Sequence, residues 1–214
     1  MPGLSCRIPS RRRPRLREAR LSAVLLLAAL VATGNPVLAA GEEPAWRRVF
    51  QDPSTGLAFE VPPTFVIGKR RSHARHDLVV DIDSDSLPRA GTSGSLCSVA
   101  LKEQPEEVRS LDPAVLNAPE AIEQLTQSMR SAMSLLGDVE SIGPVAFGKG
   151  GQGVAAIVRP RIGPDHDKIR QYIAMTDTPT YRITLSCATT APAIGKARPL
   201  FDALVGSVRI DAAR

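Results

Sequence analysis

Between residues 139 and 189 four strand-like runs follow one another, and the links between them are short. The runs are 139–148, 153–161, 168–176 and 180–189, joined by the glycine stretch "GKGGQG", by "IGPDHD" and by "DTPT". A parallel pair needs a crossover of a dozen or more residues, so links of this length make the neighbours antiparallel. This part of the chain is therefore expected to be a meander. In "TYRITLSCA" the residues Tyr181, Ile183, Leu185 and Cys187 alternate with polar ones, which sets one face toward a core.

The same period of two occurs earlier. In "TGLAFEV" Leu57, Phe59 and Val61 share one face, and Pro62-Pro63 ends the run. In "DLVVDIDSD" Leu78, Val80 and Ile82 face one way and Asp77, Asp81, Asp83 and Asp85 the other, while "SLCSVALKE" sets Cys97, Val99 and Leu101 together. The period then changes. In "NAPEAIEQLTQSMRSAMSLLG" Ile122, Leu125, Met129, Ala132, Met133 and Leu136 form the stripe of an amphipathic helix. Asn117 and Glu120 read as a capping box, Pro119 as a first-turn residue and Gly137 as the stop. A last helix is expected near 198–207, with Pro199 in its first turn and Leu200, Phe201, Leu204 and Val205 inward.

The first 40 residues have a different character. Seven arginines, from Arg7 to Arg20, precede the apolar run Leu21–Ala32; Gly34, Asn35 and Pro36 break it, and "VLAA" supplies small residues. That is the layout of a secretory signal peptide over residues 1–39, with cleavage before Ala40. An uncleaved anchor is the alternative, although the run is short of the ~20 residues of a membrane span. Cys6 precedes the run, which argues against a lipoprotein, and "SRRRPRL" leaves the general secretory and twin-arginine routes both open. Seven of the 27 Lys+Arg and one of the 22 Asp+Glu lie in 1–39, so residues 40–214 carry 20 and 21, a net of −1. The basic excess belongs to the leader. A nucleic-acid partner, which needs a basic surface to displace counterions, is not expected. Residues 40–214 read as one globular domain, periplasmic or secreted and without a membrane span after cleavage. Its even pair Cys97 and Cys187 is expected to form a disulfide, two buried thiols being the alternative.

Motifs that could carry chemistry mostly fail on context. "GKGGQG" fits the letters of a dinucleotide fingerprint, but a strand follows it, so no helix N-terminus receives a pyrophosphate and no nucleotide is expected. The glycines suit a hairpin. "DIDSD" has Ser86 and Thr92 where a calcium loop needs Gly and Glu. "GTSGS", residues 91–95, lacks the second glycine of a nucleophile elbow and reads as a hairpin tip. His73, His76 and His166 bring too few nearby ligands for a metal, and no cofactor is expected. The most unusual stretch is "GKRRSHARHD", residues 68–77. Lys69, Arg70, Arg71, His73, Arg75 and His76 crowd what reads as one inter-strand loop, a candidate surface for an acidic partner or a small anion.

"FQDPSTGLAFEVPPTF" resembles the opening of PsbP-like domains, and "TYRITLSCAT" followed by a helix ending in "LVGSVRI" resembles how they close. The resemblance spans most of residues 45–211. It implies an α+β fold, a PsbP-like sandwich in which an antiparallel sheet of about six to seven strands is packed by helices on its two faces. The group contains extrinsic photosystem subunits, bacterial envelope proteins and a nuclear-transport accessory protein, most of them binding or assembly factors. The shared positions are core positions, so no functional residue carries over. The expectation is an exported envelope accessory or binding protein without catalytic activity, meeting an envelope protein or an anionic ligand. A small periplasmic hydrolase using one of the histidines, or a small-ligand carrier, is the alternative.

Overall fold

The computed structural model describes residues 48–91 and 94–211. The signal peptide and cleavage site expected from the sequence fall outside the described residues, as do Cys6, Thr92 and Ser93.

Strands β1 (Val49–Gln51) and β2 (Leu57–Glu60) open the fold, followed by β3 (Phe65–His73), β4 (His76–Ser84) and β5 (Cys97–Glu103). Three helices come next: α1 (Glu106–Arg109), α2 (Pro113–Leu116) and the long α3 (Pro119–Leu136). The meander is β6 (Gly137–Phe147), β7 (Gly151–Pro160), β8 (Ile169–Asp177) and β9 (Tyr181–Thr190), and α4 (Ile194–Ser207) and β10 (Arg209–Ile210) close the chain. Seven strands form one antiparallel sheet in the order β3-β4-β5-β9-β8-β7-β6, and β1-β2-β10 make a second, smaller sheet.

The expected α+β class holds, and the four-strand meander lies within a few residues of where the period placed it. In the main sheet β3-β4-β5 and β6-β7-β8-β9 are each runs of sequential antiparallel neighbours. Among the described residues the β5–β9 pairing is the one long-range pairing of that sheet, and it joins its two halves. The helices cover opposite faces. Under α3 lie Val154, Ala156 and Val158 of β7, in contact with buried Ile122 and Met129. On the other face Phe201, Leu204 and Val205 of α4 share one buried core with Leu78, Val80, Val99, Leu101, Ile183 and Leu185. A strand covered on both faces needs no polar alternation, which is why "VAAIV" at 154–158 is continuously apolar.

The strand in "TGLAFEV" is the middle strand of the small sheet. The charged segment 104–116 holds α1 and α2. Several expectations for the helices are corrected. Ala118, not Asn117, is the N-cap of α3; Asn117 ends α2 instead, its Nδ2 donating to the Pro113 carbonyl at 2.7 Å. Gly137 stops α3 in extended backbone, and it is glycine because a Cβ there would collide with the Arg159 carbonyl of β7. The inner stripe of α3 ends at Met133. Ala132 and Leu136 are exposed, since a straight helix cannot follow a twisted sheet through its last turn. α4 begins at Ile194, so Pro199 sits inside it, where it leaves one carbonyl of the preceding turn without its usual donor.

The disulfide forms between directly opposed residues. Cys97 and Cys187 are register partners on β5 and β9, with Cα atoms 4.0 Å apart. The Ala188 N–H donates to the Leu96 carbonyl at 2.9 Å, which makes 97/187 a pair without mutual backbone bonds, the type whose side chains approach most closely. Both residues are buried in the α4-side core.

Candidate functional site

The basic stretch is not a loop. β3 runs through His73 and β4 starts at His76, so only Ala74 and Arg75 form the turn. Lys69 to His73 show no apolar alternation because β3 is an edge strand: one neighbour holds its backbone, and charge on the free edge discourages unwanted pairing. Two register shifts, between Ile67 and Arg70 and between Arg71 and His73, re-aim its side chains.

Between the shifts Arg70 and Arg71 are consecutive in the ladder, so the ordinary alternation of a strand sends them to opposite faces. Arg70 stands opposite Val80 and reaches the β1–β2 turn, its Nη1 3.0 Å from Asp52 Oδ1 and its Nη2 donating to Ser54 Oγ at 3.3 Å. Asp52 is buried, and its Oδ2 also accepts from the Ser54 and Thr55 hydroxyls at 2.8 and 2.6 Å. Burial pushes the Asp52 carboxyl up, but the two hydroxyls and the Arg70 charge outweigh it and leave it below the usual carboxylate range. Arg71 stands opposite Val79 on the other face and grips Asp81 with two bonds, at 2.9 and 3.1 Å. Arg70 thus fastens the hairpin to the β1–β2 turn, and Arg71 ties β3 to β4 within it.

The remaining four residues differ in kind. Lys69 and Arg75 are exposed and form no ion pair among the described residues. His73 accepts the Arg75 N–H at its Nδ1, at 3.3 Å, and its ring centroid lies 6.3 Å from that of His76. The Nδ1 of His76 is buried without a hydrogen-bond partner. Burial first, then the charges of His73, Lys102 and Arg75, hold His76 below the usual histidine range, with Asp77 only partly compensating. The outward basic rim is therefore Lys69, His73 and Arg75.

A first prediction arises here. Asp52→Ala leaves two hydroxyls and Arg70 without their acceptor and should cost about 1.5–3 kcal/mol in urea unfolding. A depressed carboxylate stabilises the fold above its unfolded value of ~3.9 and loses that contribution as pH falls through its folded value. The gap between wild type and Asp52→Ala should therefore close below about pH 4. A gap unchanged at acid pH would show that the carboxylate charge is not what Arg70 and the hydroxyls hold.

Two of the aspartates of "DIDSD" are also occupied. Asp81 binds Arg71, and Asp83 accepts the Leu96 N–H at 3.0 Å and lies 3.7 Å from Arg89. Among the described residues no three His, Cys, Asp or Glu side chains gather as a metal site would require. His166 lies in the β7–β8 link with its Nδ1 3.1 Å from the Gly163 carbonyl. Among the described residues no histidine is hydrogen-bonded to a serine, threonine or cysteine side chain.

One feature carried no signal in the sequence. A surface cleft of about 380 Å³ lies where the "GKGG" hairpin, the β8–β9 turn and β10 converge. Phe147, Ile183 and Val208 form its buried apolar part, and Lys149, Thr180 and Arg209 stand among its more accessible lining residues. The hairpin is the turn expected from its glycines: Gly148 and Gly150 have φ of 46° and 83°. Gly148 also packs where a Cβ would meet the Val208 carbonyl at 2.6 Å. No periodicity could bring these segments together, since residues 113, 149, 180 and 209 meet only through sheet order.

No known protein-family profile matches the chain, and no curated protein matches it in sequence. Its fold is similar to the solution structure of cyanobacterial PsbP (CyanoP) from Synechocystis sp. PCC 6803, at 15% identity and a TM-score of 0.49, over 83% of this chain and 100% of that one. A Bacteroides thetaiotaomicron protein is similar at 8% identity and a TM-score of 0.46, over 78% of this chain and 49% of that one. A Pseudomonas aeruginosa protein of unknown function follows at 13% identity and a TM-score of 0.34, over 72% and 89%. At these identities the likeness concerns the fold alone.

Proposed function

We propose that this chain is an exported binding protein without catalytic activity, which meets an acidic envelope partner through the β3–β4 hairpin. The observation that supports this reading is the division of labour in the hairpin. Arg70 and Arg71 are held by carboxylates, while Lys69 and Arg75 project at the tip and edge with none. Clustered cations without counter-charge oppose stability and favour an anionic contact. The Cys97–Cys187 disulfide suits an oxidising compartment. No helix among the described residues is long and apolar enough to cross a membrane.

Two measurements test the reading. Intact mass of the exported protein should correspond to a chain beginning at Ala40. A species that keeps residues 1–39 makes the protein an anchored one. For the contact, Lys69→Glu with Arg75→Glu should leave the fold intact, since neither side chain has a partner to lose, and should abolish salt-sensitive capture of a partner from envelope extract. Arg70 and Arg71 are the wrong pair for this test, because reversing them breaks the tie to Asp52 and the cross-strand pair with Asp81. Equal capture by wild type and the double variant at low salt defeats the proposal.

A further inference from the structure

We infer that the cleft between the "GKGG" hairpin, the β8–β9 turn and β10 is a binding site for a small amphiphilic anion, an apolar ring system bearing a carboxylate, sulfonate or phosphate. This site lies outside the β3–β4 hairpin and does not depend on the role proposed for it. Three observations converge.

The first is size and depth. A cleft of about 380 Å³ falls within the range of small-molecule sites, and its buried residues Phe147, Ile183 and Val208 come from three separate elements. An apolar ring placed against them leaves water for hydrocarbon, at roughly 25 cal/mol for each Å² covered.

The second is charge. Lys149 is exposed at the hairpin tip and forms no ion pair among the described residues. Arg209 adds a second cation, with Asp211 on its Nε at 2.9 Å. The one carboxylate lining the cleft is already engaged: Asp177 takes two bonds from Arg182, at 2.7 and 2.8 Å, and one from Gln104 at 2.7 Å. A ligand anion therefore meets an unpaired ammonium, and the nearby carboxylate is neutralised from the opposite side.

The third is preorganisation. The cleft wall is rigid for reasons that do not involve a ligand. Gly148 packs against Val208, the Gln152 N–H donates to Asn117 Oδ1 at 2.6 Å, and the Thr178 hydroxyl closes the β8–β9 turn on the Tyr181 carbonyl at 2.9 Å. A site ordered beforehand loses little entropy on binding.

The experiment uses the oxidised protein and two probes of similar shape, the anion 8-anilinonaphthalene-1-sulfonate and the neutral N-phenyl-1-naphthylamine, each followed by fluorescence titration. Lys149→Glu replaces attraction by repulsion and should weaken the sulfonate about tenfold while changing the neutral probe less than twofold. Thr180→Trp, at an exposed turn position, should fill the cleft mouth and weaken both probes about tenfold or more. Lys69→Glu with Arg75→Glu should alter neither. The inference is overturned if wild type binds no sulfonate, or if either cleft variant binds it within twofold of wild type. It is also overturned if Lys149→Glu weakens both probes equally, since the anion would then play no part.

Discussion

Breaking the Cys97–Cys187 bridge should lower the stability of the oxidised protein by about 3–5 kcal/mol, read as a shift of the urea midpoint between oxidised wild type and the Cys97→Ala/Cys187→Ala variant. The size follows from topology. The two cysteines are 90 residues apart, and closing a loop of that length in the unfolded chain removes conformational entropy on the order of 4–5 kcal/mol. The bridge also staples the only long-range pairing of the main sheet, β5 on β9. Its sulfurs lie in the core, so the folded protein should resist mild reductant that reduces the urea-unfolded chain at once. Two thiols from these positions, titrated in unfolded protein that has never been reduced, would show that the bridge does not form. A midpoint unchanged in the double variant would show that it forms without stabilising.

Alkaline unfolding should be the second large effect. The sequence holds only two tyrosines, and both resist ionisation. Tyr172 is buried against Phe201, with ring centroids 5.5 Å apart, and its hydroxyl donates to Asp202 at 2.6 Å. Burial and that carboxylate push its phenol far above the usual range. Burial and the charges of Glu103, Asp77 and Asp52 push Tyr181 up as well. The sign follows from linkage. Below about pH 10 both states keep these protons and stability does not depend on them; above it the unfolded chain releases them and the folded one does not. Each held proton then removes about 1.4 kcal/mol of stability per pH unit, so Tyr172 alone should account for roughly 2–3 kcal/mol by about pH 12. Near-ultraviolet absorbance should show much less tyrosinate in the folded protein, with Tyr172 still protonated, at a pH where the urea-unfolded chain is largely ionised. Tyr172→Phe should flatten the alkaline loss of stability. Tyrosinate appearing in the folded protein near pH 10 would mean that the Tyr172–Asp202 contact is open to solvent.

At acid pH Asp52 and His76 act in the same direction. His76 is held neutral in the folded state, so stability should fall as pH drops below about 6.5, where the unfolded chain takes up a proton that the folded chain refuses.

Local pattern was enough for the elements whose side chains have two distinct fates. Alternation in 76–84, 97–103 and the meander, together with links too short to cross a sheet, determined antiparallel strands and the face each turns inward. The stripe through Ile122, Leu125, Met129 and Met133 determined α3. The Cys97 and Cys187 pairing was legible for the same reason, since both cysteines sit in phase with the apolar residues of strands that had to find neighbours. Glycines followed by a strand were enough to make "GKGGQG" a hairpin. What the sequence could not show is whatever depends on which strand lies at an edge and which segments meet. β3 looked like a loop because an edge strand needs no buried face along its outer half, and its alternation sends Arg70 to Asp52 on one face and Arg71 to Asp81 on the other. Those partners are 18 and 10 positions away, and nothing local singles them out among the other carboxylates. The cleft between residues 149, 180 and 209 exists only because β6 and β7 close one end of a seven-strand sheet while β10 returns to β2. Periodicity reports the environment on either side of one segment, and tertiary packing alone decides which distant segments share it.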